Sequence, residues 1–311
     1  MPRSASRSRS RETRLLDPTL LWIPATLAAA AAQTARNATQ RALTETIGTV
    51  GATQVRFLYG FPFALLLLAL LTAATGERPP RPDGDFGLFL ILGATAQIGA
   101  TGLMLAAMRE RSFATVTAVI KTEPVQVAVF GFLVLGDRLS TGAVLAILLA
   151  TAGVIVLSGK PGGAGGVRPI LFGTVAGALF ALAAIGFRGA ILALDGGSFL
   201  LRAATTLAWG LGLQTAILSA WLLAFDRPAL LGSLRAWRPS LLAGFLGALA
   251  SQFWFIGFSL TAAANVRTLA LVEVLMAQAV SRRLFAQAAT GREIAGLALV
   301  VVGVGLLLAA A

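Results

Sequence analysis

The chain has 311 residues, of which 57% are hydrophobic and 12% are charged, about half the ~25% charged share of an average soluble protein. It contains no Cys and no His, which excludes disulfides, thiolate or imidazole metal sites and a Ser-His-Asp triad. A soluble domain of this length needs more polar surface. The composition therefore predicts an all-α integral membrane protein without cofactor, metal site or catalytic residues.

The formal net charge is +12, and in a soluble protein such a charge would suggest nucleic-acid binding. Here five arginines lie in the first 14 residues, and most of the others flank apolar stretches. Basic residues beside membrane spans contact anionic lipid headgroups. We therefore expect membrane lipid, and not nucleic acid, as a partner.

Residues 1–17 are rich in Arg and Ser and predict a basic, disordered cytoplasmic tail. The basic tail followed by an apolar stretch also resembles a secretory signal peptide. That alternative stays open, although the apolar stretch continues without a break into a polar helix between Gln33 and Arg41.

Hydropathy predicts about ten transmembrane helices, each long enough to cross ~30 Å of hydrocarbon. Short breaks rich in Gly, Pro and charge separate them. The predicted spans are 18–42, 50–74, 85–108, 112–135, 140–158, 168–192, 199–224, 238–260, 264–285 and 290–310.

The two halves of the chain resemble each other on either side of a Gly-rich linker at 159–167. A shift of about 150 residues places Glu123 on Glu273 and Gly153 on Gly303. An odd number of spans in each half requires opposite orientations in the membrane. We therefore predict two inverted five-helix repeats, 18–158 and 168–311, as in many secondary transporters.

Several short motifs, in this order and spacing, resemble the drug/metabolite transporter superfamily, EamA type. The second span opens on Gln-Val-Arg-Phe-Leu (54–58), Glu-Pro-Val (123–125) lies in the fourth span, and Leu-Gly-Asp-Arg-Leu-Ser (135–140) follows it. The second half departs from the pattern, with Val274 in place of proline. The resemblance implies two five-helix halves, cytoplasmic termini and transport, with amino-acid and metabolite exporters the most similar members.

Polar residues inside membrane spans are the best candidates for a solute pathway, because a central charge costs about 2.5–3.5 kcal/mol on insertion scales. In the first span, polar residues recur on one helical face. We predict that Gln33 and Asn37 of this face line a central cavity, and that Arg41 extends towards the membrane surface.

Lys121 and Glu123 fall in the middle of the fourth span, next to Pro124, which predicts a helix kink. Two residues apart on a continuous helix, their side chains would point to different sides. We predict that Lys121 binds a solute carboxylate. For Glu123 and Glu273 two interpretations stay open: coupling or substrate binding, or structural ion pairs with arginines such as Arg56, Arg202 or Arg267.

Other amide and aromatic side chains within the spans suit zwitterionic or amphipathic solutes, although a lone aromatic more often serves packing. Pro62 predicts a second kink. The remaining candidates for substrate binding are Tyr59, Gln97, Trp209, Gln252 and Trp254.

Together these features predict a secondary transporter that exports small polar or amphipathic metabolites, with amino acids the best single expectation, by alternating access between the repeats. A passive channel, or a membrane enzyme or scaffold, is the alternative. Lys and Arg divide equally between the two sides, so the Arg-rich tail decides for cytoplasmic termini. We expect a multi-pass monomer in the cell inner membrane.

Overall fold

The computed structural model describes residues 20–110, 116, 119–158, 168–275 and 290–310, and over these ranges it contains helices and no strand. The helices are α1 (Trp22–Thr75), α2 (Gly84–Glu110), α3 (Glu123–Phe130), α4 (Thr141–Ser158), α5 (Arg168–Ala193), α6 (Phe199–Phe225), α7 (Arg227–Arg235), α8 (Trp237–Leu260), α9 (Ala263–Leu269) and α10 (Gly291–Ala310). Five π-helical residues, Gly131–Leu135, extend α3.

Helix α1 is far longer than one membrane crossing. Its 54 residues would measure about 80 Å at 1.5 Å per residue, against ~30 Å of hydrocarbon. The helix is interrupted at Gly48, whose φ of 70° lies in the left-handed region that glycine adopts without a steric penalty. Two arms result, in keeping with the separate spans predicted at 18–42 and 50–74. A kink was predicted at Pro62, but helix α1 continues through that residue, and the interruption lies at Gly48 instead.

Six of the described helices are long and apolar enough to cross a membrane: α1, α2, α5, α6, α8 and α10. Large hydrophobic side chains such as Leu88, Leu133 and Phe225 are exposed on the outside, where lipid would solvate them. The chain is therefore an all-helical, multi-pass membrane protein. The count of about ten spans stays a prediction, because parts of the predicted fourth and ninth spans lie outside the described residues.

The main helix pairs join the two halves of the chain. Helix α1 packs on α8, α2 on α5, and α4 on α10. Glycines permit the close approach: a Cβ atom added to Gly186 would lie 2.4 Å from the Gly93 nitrogen, so even alanine would push α2 and α5 apart.

The contact between α4 and α10 contains both glycines that the 150-residue shift superposes. A Cβ atom on Gly153 would lie 2.7 Å from the Gly296 oxygen, and one on Gly303 would lie 2.6 Å from the Ala150 nitrogen. Equivalent positions of the two halves thus meet at one helix pair. The division into repeats stays a prediction, and the predicted tail and linker lie outside the described residues.

Candidate functional site: a closed cavity lined by charges

A small cavity lies between the two halves, and it is lined mainly by charged and amide side chains. Its volume is about 20 Å³, room for about one water molecule. Most of its lining comes from four segments: the first arm of α1, the start of α3, the end of α9 and the residues that follow α9. The polar lining residues are Gln33, Arg36, Asn37, Lys121, Glu123, Arg267 and Glu273.

Both glutamates of the cavity follow an interruption of the helix. Before Glu123 the backbone forms a turn at residues 121–122, and before Glu273 it forms a turn at 270–271. Pro124 lies in the first turn of α3, where its missing N–H removes no helical hydrogen bond. Interrupted helices at mid-membrane depth are a recurrent way to build solute sites in transporters.

Two ion pairs cross between the halves at this cavity. The Lys121 ammonium contacts the Glu273 carboxylate, and the Arg267 Nε lies 3.1 Å from Oε1 of Glu123. All four side chains are at most 10% exposed. Each pair joins one residue before the linker to one after it. Lys121 and Glu123, which are two residues apart, therefore do not pair with each other, and each has its partner in the other half.

This arrangement corrects one expectation and shows which charges are paired, while the choice between coupling and a structural role for the two glutamates stays open. Lys121 and Glu123 line the same cavity, and not opposite sides of a helix, because the turn at residues 121–122 ends the helical period between them. Lys121 is paired with Glu273 in this closed form. Glu123 forms the ion pair with Arg267 that the structural interpretation predicted.

Arg36 and Arg56 are the other buried cations near the cavity. The Arg36 guanidinium donates to Asn37 Oδ1 from Nε at 3.2 Å and from Nη2 at 2.6 Å. Arg56 Nη1 donates to Thr101 Oγ1 at 2.8 Å. Neither arginine has a carboxylate within 4 Å in the described part of the chain. Glu123 and Glu273 therefore do not use the predicted partner Arg56.

The predicted site residues Gln33 and Trp254 meet at the edge of the cavity. Trp254 Nε1 donates to Gln33 Oε1 at 3.0 Å. The Arg267 guanidinium lies 4.4 Å from the Trp254 ring centroid, a distance suited to a cation–π contact. Gln33, Trp254, Arg267 and Glu123 thus form one connected polar group.

The other candidates lie away from the cavity lining. Gln97 Oε1 accepts from Gln214 Nε2 at 2.8 Å, which joins α2 to α6. Tyr59 donates to the backbone oxygen of Ser233 at 3.0 Å. Both contacts join helices.

Two further candidates differ strongly in exposure. Trp209 is 54% exposed and borders an outward-facing groove. Gln252 is buried, and over the described ranges neither its side-chain oxygen nor its nitrogen has a hydrogen-bond partner. The role of Gln252 in substrate binding, like that of the other predicted residues, stays a prediction, and for Trp209 the exposed ring leads us to expect a small contribution.

Arg267 and Arg36 contribute to the cavity but were not among the predicted substrate-binding residues. Arg36 lies on the polar face of the first span, so its position was available from the sequence. Arg267 was predicted only as an ion-pair partner. Its approach to Glu123 depends on the packing of α9 on α3, which no local sequence pattern encodes.

A second charged cluster lies where α5, α8 and the π-helical end of α3 come together. Arg188 forms a two-pronged ion pair with Asp137, at 3.0 and 3.1 Å, and Nη1 donates to the Thr261 oxygen at 2.6 Å. The turn at Gly136, with φ of 67°, places Asp137 for this contact. Through Asp137, the Leu-Gly-Asp-Arg motif therefore links the first half to the second at one end of the bundle.

Across the described ranges, no three acidic, His or Cys side chains group as metal ligands. The fold and the cavity define a class: a helical, multi-pass membrane protein with a closed, charged site between its halves. Residues 20–159 match the model of the EamA-like transporter family. The match confirms the resemblance that the motifs predicted, and it indicates a membrane transporter.

One solved structure, described as "Crystal structure of protein", aligns over 94% of this chain and 98% of that chain with a TM-score of 0.59 and 16% sequence identity. At this identity the likeness concerns the fold alone. No curated protein matches the chain.

Proposed function

We propose that this protein is a secondary transporter that exports small polar or amphipathic metabolites, with amino acids the leading class, across the cell inner membrane. The domain organisation that we propose is a basic cytoplasmic tail (1–17) and two inverted five-helix repeats (18–158 and 168–311) joined by a linker (159–167). The observation that carries the proposal is the pair of crossed ion pairs around a closed cavity.

The ion pairs suggest how a solute would be bound. A zwitterion presents the same two charges as the Lys121–Glu273 pair. Its carboxylate can replace Glu273 beside Lys121, and its ammonium can replace Lys121 beside Glu273. Separating a buried ion pair without replacement leaves two unpaired charges, which is strongly unfavourable. A solute that supplies both charges removes this cost and favours the opening of the cavity.

The same pairs would also connect binding to the movement of the halves. Each pair spans the two halves, so its separation loosens them at the cavity while Arg188 and Asp137 hold them at one end of the bundle. Rocking of one repeat against the other would then open the cavity to one side at a time, as alternating access requires. The small volume of the cavity, with room for about one water molecule, favours this mechanism over a continuously open channel.

Reconstitution into proteoliposomes tests the proposal. Vesicles that contain a labelled amino acid should exchange it for unlabelled external amino acid, with rates that saturate and show counterflow. A channel would give flux without counterflow, and a failure of every metabolite tested to move faster than in protein-free vesicles would contradict the proposal.

The role of Lys121 is tested by Lys121→Ala, with exposed Arg109→Ala as the matched control. The Lys121 variant should insert normally and lose most of the exchange, whereas the Arg109 variant should keep it. Glu273→Gln tests coupling. If Glu273 carries a transported proton, the variant should retain exchange but lose the pH dependence of net flux. An unchanged pH profile would assign Glu273 to the scaffold.

A further inference from the structure

The buried charges around the cavity do not balance. Four buried cations, Arg36, Arg56, Lys121 and Arg267, face two acids, Glu123 and Glu273. The two ion pairs use one lysine, one arginine and both acids. Arg36 and Arg56 are left without a carboxylate within 4 Å among the described residues.

Arg36 is the cation that a solute would meet. It is 1% exposed and lines the cavity directly. Its Nε and Nη2 atoms share the neutral Asn37 oxygen, and its buried Nη1 atom has no hydrogen-bond partner among the described residues. A buried guanidinium that keeps an unused donor beside a cavity has an open position for an anion.

Arg56 adds a second positive charge close to the first. A Cβ atom built on Gly247 would lie 3.4 Å from Cδ of Arg36 and 3.4 Å from Cγ of Arg56, so both side chains flank the same glycine of α8. Arg56 is also buried, and within the described part of the chain its Nε atom has no hydrogen-bond partner. Like charges repel strongly in a medium of low dielectric constant. An anion between them would offset this repulsion.

Resting on the proposed transport function, we infer that the transported solute is a small organic oxoanion with a net negative charge, and that Arg36 binds its additional anionic group. A guanidinium favours the planar carboxylate because two parallel hydrogen bonds form. Within the amino acids, this selects the acidic ones. Their ammonium group would approach Glu273, whose Oε2 atom is buried and accepts no hydrogen bond from the residues that the structure describes.

Glutamate and glutamine, which have nearly the same shape and differ by one charge, provide the direct test. The purified full-length protein is heated in detergent with glutamate, glutamine, glutarate or chloride, and each melting temperature is compared with that in the same buffer without the added solute. The same solutes are then compared in proteoliposome exchange. Glutamate should stabilise the protein and exchange about tenfold or more better than glutamine, as expected for a charge-assisted pair.

Variants of Arg36 assign the charge preference to this residue. Arg36→Gln should reduce the affinity for glutamate about tenfold or more, while the affinity for glutamine stays within about twofold. Arg36→Lys should restore part of the preference. Arg41→Gln, which removes an exposed arginine from the same helix, is the matched control and should leave the preference intact. If Arg36→Gln does not fold, Arg36→Lys and the comparison of solutes still test whether Arg36 sets the preference for glutamate.

The outcomes separate this inference from the proposed function. Equal or better exchange of glutamine, or a glutamate preference that survives Arg36→Gln, overturns the inference and leaves transport standing. Stabilisation by chloride alone, with none by organic anions, also overturns it. If no metabolite of any charge exchanges but glutamate and glutarate stabilise the protein through Arg36, the proposed transport fails and the anion site stands.

Discussion

Removing the negative partner of Arg267 should destabilise the protein more than the removal of an ordinary surface charge. In Glu123→Gln, the buried Arg267 guanidinium loses the carboxylate 3.1 Å away. Loss of one partner of a buried ion pair costs about 3–5 kcal/mol. The Trp254 ring lies 4.4 Å from the guanidinium with or without Glu123, so its cation–π contact cancels in the comparison. We therefore expect a loss of about 3 kcal/mol, the lower end of that range.

This loss is measurable as a change in melting temperature. With ~2.1 cal/mol/K of unfolding entropy per residue, the chain of 311 residues has about 650 cal/mol/K. A loss of about 3 kcal/mol then lowers Tm by about 5 °C. Helices that persist in detergent reduce the unfolding entropy, so the shift should be at least this large. Thermal unfolding of the purified protein, followed by tryptophan fluorescence, provides the measurement.

A double-mutant cycle isolates the ion pair from other effects of the substitution. Glu123→Gln, Arg267→Gln and the double variant should show a coupling energy above about 1 kcal/mol, because the double variant leaves no unpaired charge. Glu45→Gln, which removes an exposed acid from α1, should change Tm by less than about 1 °C. Additive effects of the two cavity substitutions would refute the view that this pair joins the halves.

Three further predictions concern the helix contacts and the outer surface. Gly186→Ala should reduce the yield of folded protein, measured by size-exclusion chromatography, because the added methyl group would lie 2.4 Å from the Gly93 nitrogen. The control Gly87→Ala, whose added methyl group has nothing within 4 Å, should not reduce the yield. Equal yields would contradict the close packing of the helices. Asp137→Asn should weaken the contact with Arg188. A cysteine introduced at Ser259 in this cysteine-free chain should then be alkylated faster than the same cysteine in the protein that keeps Asp137. An unchanged alkylation rate would show that the ion pair does not hold this end of the bundle closed. Trp209→Ala should leave exchange within about twofold, since the ring is mostly exposed and exposed substitutions have small effects; a large loss of affinity would place Trp209 in the solute pathway.

The sequence predicted the helical membrane fold and most of the residues of the charged cavity because both depend on the free-energy cost of placing polar groups in lipid. Apolar stretches of about 20 residues are stable in lipid, and polar groups within them must avoid it. This reasoning singled out Gln33, Asn37 and Lys121, and all three line one cavity, although their role in solute binding stays a prediction. It also found Glu123 and Glu273, whose equivalent positions in the two halves suggested a common place.

The pairing of these charges could not be predicted, because it depends on the backbone and on contacts between distant segments. The prediction for Lys121 and Glu123 assumed a continuous helix with 3.6 residues per turn. A turn at residues 121–122 breaks that period and brings both side chains to the cavity. The position of Trp209 was also undetermined, because a helix that is apolar on all sides does not reveal which side faces lipid.

The four charges of the two ion pairs help to explain why a transporter would retain an unfavourable interior. Apolar residues in place of a buried ion pair often make a protein as stable or more stable, so stability alone does not require Lys121 and Glu273. In the proposed mechanism, their pairing would hold the halves together only while no solute offers the same charges. A purely apolar contact would pack the cavity equally well, but a charged solute could not replace it. The ion pairs would therefore give this form of the protein a stability that the solute itself can remove, and a carrier must have this property if binding is to change its conformation.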